Sequence, residues 1–217
     1  MSTATALDEL KKGKMIVIYD SDQREGEADL VFHASAVTPE RIETMRKDAG
    51  GLLCVAIDQD PAKKAKLPFF TDILEKADVS VKVLACKKTA YGDKPAFSLP
   101  VNHCQVYTGI TDNDRALTIK KLHEVLGSTS DATLANFSKE FYSPGHIFLL
   151  IGRGLKNRRG HTELTLKLAE LAGLSGVMVL CEMLGKGKAL SKNDAMAYAK
   201  KNGLIFLEGK EIVDATS

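Results

Sequence analysis

The amino-acid sequence predicts an α/β protein in which helices flank a mixed β-sheet. Helix-like and strand-like patterns alternate along the whole chain, without the strict strand–helix–strand repetition of a purely parallel sheet. No internal repeat, low-complexity tract or linker rich in Pro, Gly or Ser divides the chain. With 217 residues, 44% of them hydrophobic, it can bury one substantial core or at most two small ones. We therefore expect residues 1–217 to form a single domain.

Helix start signals are clearest in the first half of the chain. Thr38 suits an N-cap, Pro39 suits the first helical position, and Glu40 places an acid in the first turn. The region 62–95 is expected to be irregular, and its polar segment 87–95 to be a surface loop. The expected elements are a helix over 6–12, a strand over 15–19, a helix from 39 through 45 that stops at Gly50-Gly51, and a buried strand over 52–57.

Glycines mark the helix ends of the second half, at Gly127, Gly173 and Gly203, and Ser191 suits the N-cap of the last helix. Short apolar runs between these signals predict buried strands. The expected elements are strands over 97–101, 147–151, 176–181 and 204–207, and helices over 118–126, 163–172 and 192–202.

Composition narrows the function classes. The formal charge of +2 neither favours nor disfavours a polyanionic partner, but Trp is absent and aromatic residues make up only 6%, which leaves little to stack on single-stranded nucleic acid. No C-x-x-C pair occurs among the cysteines, which favours free thiols in a reducing compartment over disulfides or a zinc site. No apolar run approaches the roughly 20 residues that span a bilayer. We expect a cytoplasmic protein. The four cysteines are Cys54, Cys86, Cys104 and Cys181.

The most informative segment is a charge run over 20–29, which lies between two apolar runs and holds five carboxylates and one arginine. If 24–29 is extended, Glu25, Glu27 and Asp29 share one face. Three carboxylates on one face repel each other unless a cation compensates them, and a hard ion such as Mg²⁺ prefers oxygen ligands. This segment is therefore the first candidate for an active site.

A second cluster, 156–163, precedes a predicted helix. Arginines and a threonine hydroxyl beside a helix N-terminus suit a phosphate group, because the N-terminus offers free N–H groups and partial positive charge. His161 lies in the same turn and can offer a ring nitrogen to a metal. The alternative is a basic loop in which Thr162 is a simple N-cap.

Three further positions carry weaker signals. The segment 107–115, with Thr108, can contact an oxyanion or simply form a capped turn. His146 directly precedes a predicted strand and can act as an acid or base. Glu182 follows a fully apolar strand, so its carboxylate lies either in water or in a site.

Together these segments resemble the 3,4-dihydroxy-2-butanone 4-phosphate synthase family of riboflavin biosynthesis. The resemblance runs from Leu10 to about Leu207. Many members carry Asn and Gly where this chain has Gly26 and Ala28, but the charged positions are kept. No segment resembles GTP cyclohydrolase II, so we expect a monofunctional enzyme. The segments that carry the resemblance are 22–30, 108–110, 114–115, 143–146, 158–163 and 181–182.

The resemblance implies a lyase that converts D-ribulose 5-phosphate to formate and L-3,4-dihydroxy-2-butanone 4-phosphate. It implies Mg²⁺ or Mn²⁺, two ions per site, and no organic cofactor. It also implies a homodimer with sites near the subunit interface, each borrowing residues across it. Glu25 and His161 match metal ligands, and His146 and Glu182 match residues essential for turnover. The residues expected to bind substrate are Arg24, Glu25, Asp29, Thr108, Arg158, Arg159, Gly160, His161, Thr162 and Glu182.

Two alternatives remain from the residues themselves. A metal-dependent aldolase or isomerase acting on another sugar phosphate would use the same acid, metal and phosphate groups, but it would release no formate. A nucleic-acid-binding module would use Lys87, Lys88, Arg158 and Arg159 and bind with strong salt dependence. The carboxylates beside Arg24 would repel a nucleic-acid backbone, so this alternative is disfavoured.

Overall fold

A seven-stranded mixed sheet runs through the protein, seen in a computed structural model that describes residues 3–85, 87–128 and 133–216. The strand order is β4-β5-β3-β6-β2-β1-β7, with β3/β5 and β1/β7 parallel and the other four neighbouring pairs antiparallel. The predicted α/β class with a mixed sheet is confirmed. The strands are β1 (Ile16–Tyr19), β2 (Ala28–His33), β3 (Cys54–Ile57), β4 (Phe97–His103), β5 (Phe141–Ile151), β6 (Val177–Glu182) and β7 (Ile205–Glu208).

Helices cover both faces of the sheet. A short 3₁₀ helix, Ala34–Ala36, follows β2, and a π-helical turn, Met45–Ala49, extends the second helix. None of the helices in the described ranges has the length and apolar character needed to cross a bilayer. The α-helices are α1 (Thr3–Lys11), α2 (Pro39–Thr44), α3 (Gln59–Lys64), α4 (Phe70–Glu75), α5 (Val79–Ala85), α6 (Asp112–Leu126), α7 (Thr133–Glu140), α8 (His161–Leu171), α9 (Lys192–Lys201) and α10 (Gly209–Asp214).

The core consists of two apolar clusters, one on each side of the sheet. Helices α2, α6 and α9 contribute Ile42, Leu122 and Ala199 to one cluster, whereas α1 and α8 contribute Leu10 and Leu168 to the other. Because the central strands are covered on both faces, they read as continuous apolar runs instead of alternating patterns. Burying one such Leu or Ile side chain contributes about 1.5–3 kcal/mol.

Capping explains the helices that the sequence predicted well. Thr38 accepts a hydrogen bond from the Arg41 N–H at 3.3 Å, and Gly50 ends the π-helical turn with φ 83°. Only glycine adopts that left-handed conformation without strain. Ser191 caps α9 through the Asp194 N–H, as expected.

Several expectations about the helices and strands were wrong. The helix expected from 118 begins at Asp112, because Thr111 is its N-cap. The region 62–95 contains α4 and α5 as well as the end of α3, although 87–95 is a loop as expected. Helices α7 and α10 were not predicted. The strand expected from 147 begins at Phe141, so His146 lies inside β5 instead of before it.

The early part of β5 was missed because Ser143, Pro144 and Gly145 read as a turn. This part pairs with β4 alone, since β3 joins β5 only at Phe148. A side chain at position 145 would collide with the backbone of Val101, so glycine is what allows the two strands to approach here.

Candidate active site

The β1–β2 connection forms the first part of the candidate site. Asp20 is 4% exposed, and its two carboxylate oxygens accept hydrogen bonds from the backbone N–H groups of Glu25 and Glu27, both at 3.1 Å. Residues 22–25 form a turn and Gly26 has φ 66°, so the extended conformation of 24–29, under which Glu25, Glu27 and Asp29 would share one face of a strand, does not occur. The side chains of Glu25, Glu27 and Asp29 nonetheless line one cavity, because the hydrogen bonds to Asp20 hold the turn in place.

Four acidic side chains, those of Glu25, Glu27, Asp29 and Glu182, line a cavity of about 330 Å³ over the α8 face of the sheet. Asp29 on β2 lies opposite Glu182 on β6 in the antiparallel register, so both side chains face the same way. The loop 87–95 closes another side of the cavity. The polar lining residues are Glu25, Glu27, Asp29, Thr89, Tyr91, Arg158, His161, Thr162 and Glu182.

His161 is the first residue of α8 and is 5% exposed. Its Nε2 lies 3.1 Å from the backbone oxygen of Glu27, which can only accept, so Nε2 carries the proton. In the neutral ring, Nδ1 then presents its lone pair to the side where Glu25 Oε2 lies, 3.3 Å away. This tautomer is the one that a metal ligand requires.

The donor set fits a hard divalent cation. Octahedral Mg²⁺ with ligands at about 2.1 Å places neighbouring ligand atoms about 3 Å apart, and the Glu25–His161 separation is close to this distance. Asp20 completes a group whose ligand atoms all lie within 4.8 Å of one another. Both oxygens of Asp20 already accept backbone N–H groups of the turn, so Asp20 holds the turn in place. Glu25 Oε2 contacts the side chains of Arg24, at 2.9 Å, and of His161, so Glu25 and His161 are the available ligands.

The negative charge of the cavity, which His161 balances only in part, supports the same conclusion. Asp29 is 2% exposed, and its Oδ1 has no hydrogen-bond partner among the described residues. Burial raises the pKa of Asp29 to about 7, and the charges of Glu182, Glu25 and Glu27 act in the same direction. A buried, unsatisfied carboxylate oxygen beside three other acids is the environment that a cation relieves.

The pKa of His161 is raised in the folded protein, whereas the pKa of Glu25 is lowered. Burial opposes protonation of His161, but the charge of Asp29 and the hydrogen bond to Glu25 raise its pKa to about 9. Burial also opposes ionisation of Glu25, but hydrogen bonds from His161 and Tyr91 and the charge of Arg24 lower its pKa to about 2. The metal-free pair is therefore an imidazolium beside a carboxylate at neutral pH.

A second pocket of about 390 Å³ adjoins the first and shares Tyr91 and Arg158 with it. Its charged lining is mainly cationic: Arg24, Lys156, Arg158 and Arg159, with Asp93 as the acid. A side chain at Gly160 would collide with the guanidinium groups of Arg24 and Arg158, so glycine allows both arginines to approach the start of α8. We name this space the cationic pocket.

Sequence reasoning missed Glu163 as a functional group. Its buried carboxylate accepts hydrogen bonds from Arg158 Nη1 at 2.6 Å and from the Gly160 N–H at 3.3 Å, and so fixes the arginine at the helix start. The available signal was its position, three residues after the N-cap, where a carboxylate reaches back to the helix start. Asp20 was also missed, and its contacts could not be read from the sequence.

The structure brings most of the predicted site residues together, but not all. Glu182 lines the acidic cavity, where its Oε2 accepts the Leu52 N–H at 2.7 Å. His146 is exposed and pairs with Asn102, whose Oδ1 accepts the His146 N–H at 2.8 Å. Thr108 donates its N–H to Asp114 at 3.1 Å. His146 precedes the cavity residue Leu150 by four strand positions, about 13 Å, so neither His146 nor Thr108 lines the cavities described here.

Residues 4–215 match the family model described as 3,4-dihydroxy-2-butanone 4-phosphate synthase. The chain is 48% identical to the protein of that name from Methanosarcina mazei, covering 97% of this chain and 89% of the relative. It is 42% identical to the one from Methanothermobacter thermautotrophicus, covering 97% and 93%. A solved 3,4-dihydroxy-2-butanone 4-phosphate synthase in complex with two magnesium ions superposes with a TM-score of 0.79 at 25% identity, covering 100% of this chain and 96% of that chain.

Proposed function

Because the chain belongs to the 3,4-dihydroxy-2-butanone 4-phosphate synthase family, we propose that its acidic cavity and cationic pocket together form the site of that reaction. The enzyme is a lyase of riboflavin biosynthesis that converts D-ribulose 5-phosphate to formate and L-3,4-dihydroxy-2-butanone 4-phosphate. The observation that carries the site assignment is the adjacency of the two pockets, which share Tyr91 and Arg158. A phosphorylated ketose needs cations at its phosphate and a Lewis acid at its ketone.

The cationic pocket takes the phosphate in this proposal. Arg24, Arg158 and Arg159 supply charge-assisted hydrogen bonds, and the free N–H groups at the start of α8 add to them. Thr162, 3% exposed, lies in the first turn of that helix and lines the acidic cavity, so its hydroxyl suits the substrate between the two pockets. Gly160 contributes by its lack of a side chain.

The acidic cavity takes the reacting carbons. Glu25 and His161 are the residues that would hold a divalent ion, Mg²⁺ or Mn²⁺, and we propose two ions per site because a related structure contains two magnesium ions. When bound, such an ion supplies Lewis acidity toward the ketone and a neighbouring hydroxyl. No organic cofactor is needed, since the removal and return of protons are tasks for side chains.

Glu182 and Asp29 are the groups that we assign to proton transfer within the cavity. The Leu52 N–H holds Oε2 of Glu182, which fixes the carboxylate and leaves its other oxygen for a carbon-bound proton. Asp29 lies opposite Glu182, and its Oδ1 makes no hydrogen bond within the described part of the chain, so this oxygen is available to accept a proton. His146 is the group that we assign to the later rearrangement and to the loss of formate.

We propose a homodimer, because His146 and Thr108 lie outside the cavity of their own chain. Large exposed apolar side chains surround them: Tyr107 is 96% exposed, Ile110 52% and Tyr142 45%. A second copy that covers these side chains would bring His146 to the cavity of its partner. In this arrangement each site borrows residues across the interface.

We also propose a cytoplasmic location and a single domain over residues 1–217. Cys54, Cys104 and Cys181 are free thiols, as expected in a reducing compartment. Cys86, which we also expect to be a free thiol, lies outside the described residues. One sheet with apolar clusters on both faces supports a single domain.

The direct test of function is incubation with D-ribulose 5-phosphate, followed by an assay for formate. We expect formate with Mg²⁺, none after treatment with a chelator, and recovery when Mg²⁺ is added back. An aldolase or isomerase acting on the same sugar would consume ribulose 5-phosphate without releasing formate, and that result would overturn the proposal.

A further inference from the structure

Asp93 occupies the cationic pocket from within the chain. Its Oδ2 accepts a hydrogen bond from Arg24 Nε at 3.1 Å and lies 3.0 Å from Arg24 Nη2 and 3.5 Å from Arg158 Nε. One carboxylate oxygen thus stands between two guanidinium groups that come from distant parts of the sequence. This is the position in which the proposed function puts the substrate's phosphate.

The carboxylate satisfies these arginines incompletely. Arg24 Nη2 and Arg158 Nε are both buried, and neither makes a hydrogen bond within the described part of the chain, although both lie near Asp93 as charges. Buried N–H donors without acceptors are unfavourable. A phosphate group presents three oxygens in a tetrahedral arrangement and carries nearly two negative charges. It can therefore satisfy donors that a single carboxylate oxygen leaves without a partner.

The loop 87–95 places the Asp93 carboxylate in the cationic pocket, and its lack of helix or strand allows the loop to move away from the pocket. Thr89 donates its hydroxyl hydrogen to the backbone oxygen of Asp93 at 3.0 Å, and Gly92 has φ 85°. The resulting tight turn directs the Asp93 carboxylate toward Arg24 and Arg158. Tyr91 stacks on the Arg24 guanidinium, 4.7 Å from it. The loop contains no helix or strand, so moving it breaks no sheet hydrogen bond.

We propose that Asp93 is an intramolecular competitor of the substrate's phosphate for Arg24 and Arg158. The inference rests on the proposed function. Every ligand of the cationic pocket must displace the Asp93 carboxylate. The apparent affinity of the ligand is therefore its intrinsic affinity multiplied by the fraction of time in which Asp93 leaves the pocket open. A phosphate replaces the carboxylate through its added charge and hydrogen bonds. Asp93 therefore occupies the two arginines when no phosphate is bound, and weakens the apparent affinity of the phosphate that displaces it.

Calorimetric titration with inorganic phosphate at fixed ionic strength tests the competition directly. We expect Asp93→Asn to bind phosphate roughly tenfold more tightly than the unmodified chain, as the loss of one charge-assisted competitor predicts. The matched control is Glu75→Gln, which removes the same charge from a residue that pairs with Lys94 at 3.7 Å in the same region. Its phosphate affinity should stay within about twofold.

Equal phosphate affinity in Asp93→Asn and the unmodified chain would overturn the inference, and so would an equal gain in Glu75→Gln. Arg158→Ala separates this inference from the proposed function. If Arg158→Ala loses phosphate binding while Asp93→Asn gains nothing, the role of Asp93 fails and the phosphate subsite stands. If Arg158→Ala binds phosphate as before, the subsite is misplaced and both fail.

Discussion

Asp29 and Glu182 face each other across adjacent antiparallel strands, so two carboxylates share one face of a buried sheet. Like charges placed directly opposite each other destabilise a strand pair, and here one of the two is buried with an unsatisfied oxygen. The protein therefore maintains this pair at the expense of stability. That conflict is expected where a sheet carries a metal-dependent site, because a bound cation would relieve it.

The pH dependence of stability should reveal this conflict. The folded protein raises the pKa of Asp29 from 3.8 to about 7. The stability associated with its protonated form is therefore fully present below pH 3.8 and is lost as the pH rises through 7. Asp29→Asn should stabilise the metal-free protein above pH 7 by roughly 1–3 kcal/mol, and by less near pH 4.

Urea unfolding with a chelator at pH 4.5 and pH 8 measures this difference. A gain of the same size at both pH values would contradict the assignment of the raised pKa to Asp29. The same variant should lose formate release, because the group that we assign to proton transfer is gone.

Metal binding should depend on pH through His161. Its pKa is raised to about 9, so the ring is protonated at pH 7 and must lose a proton before Nδ1 can bind a metal. Affinity for Mn²⁺ should rise by up to about tenfold per pH unit between pH 7 and pH 9 and level off above. Calorimetry in buffers with different heats of ionisation would detect the released proton. An affinity independent of pH in this range would argue against His161 as a ligand.

Two neighbouring glycines offer a matched pair of variants for the position of Glu182. A Cβ at position 51 would lie 2.5 Å from the backbone oxygen of Glu182 and 2.6 Å from its Oε2, whereas a Cβ at position 50 would meet nothing within 4 Å. Gly51→Ala should lower kcat by roughly a hundredfold with little change in KM, because both the backbone and the carboxylate of Glu182 are displaced. Gly50→Ala should keep kcat but lose about 1 kcal/mol of stability, since φ at this position is 83°. Equal effects of the two variants on kcat would show that Glu182 needs no such positioning.

Hybrid dimers test whether His146 acts across the interface. Glu25→Gln and His146→Ala should each abolish formate release alone, with Glu43→Gln as a surface control that leaves it unchanged. Coexpression of the two inactive chains should restore about a quarter of the activity, because half of the dimers are mixed and one of their two sites is intact. If the mixture stays inactive while mixed dimers form, His146 serves its own chain or neither.

Local signals predicted those parts of the fold that depend on neighbouring residues. The Thr38 cap and the glycine at 50 defined α2 and its π-helical end, because both act within a few residues. Helix α5 has no such signal, since Val79 and Leu84 are exposed and give it no apolar face toward the core. Its existence depends on packing against α4.

The candidate site divides in the same way. Residue types at fixed spacing identified the acidic turn and the start of α8. They did not show which distant residues of the chain contact either segment. Asp93 reaches Arg24 across 69 positions of sequence, and His161 reaches Glu25 across 136. Such pairings are set by the strand order, and the sequence does not state that order.

In our proposal, Glu25 and His161 share a divalent cation beside a phosphate held by Arg24 and Arg158. Anomalous diffraction from crystals of the inactive His146→Ala variant, grown with Mn²⁺ and ribulose 5-phosphate, tests this arrangement most directly. We predict a manganese peak about 2.0–2.3 Å from Glu25 and from Nδ1 of His161, with the substrate's phosphorus in the cationic pocket and Asp93 displaced. A manganese peak away from either residue, or a phosphate bound elsewhere while Asp93 keeps its place, would contradict the account.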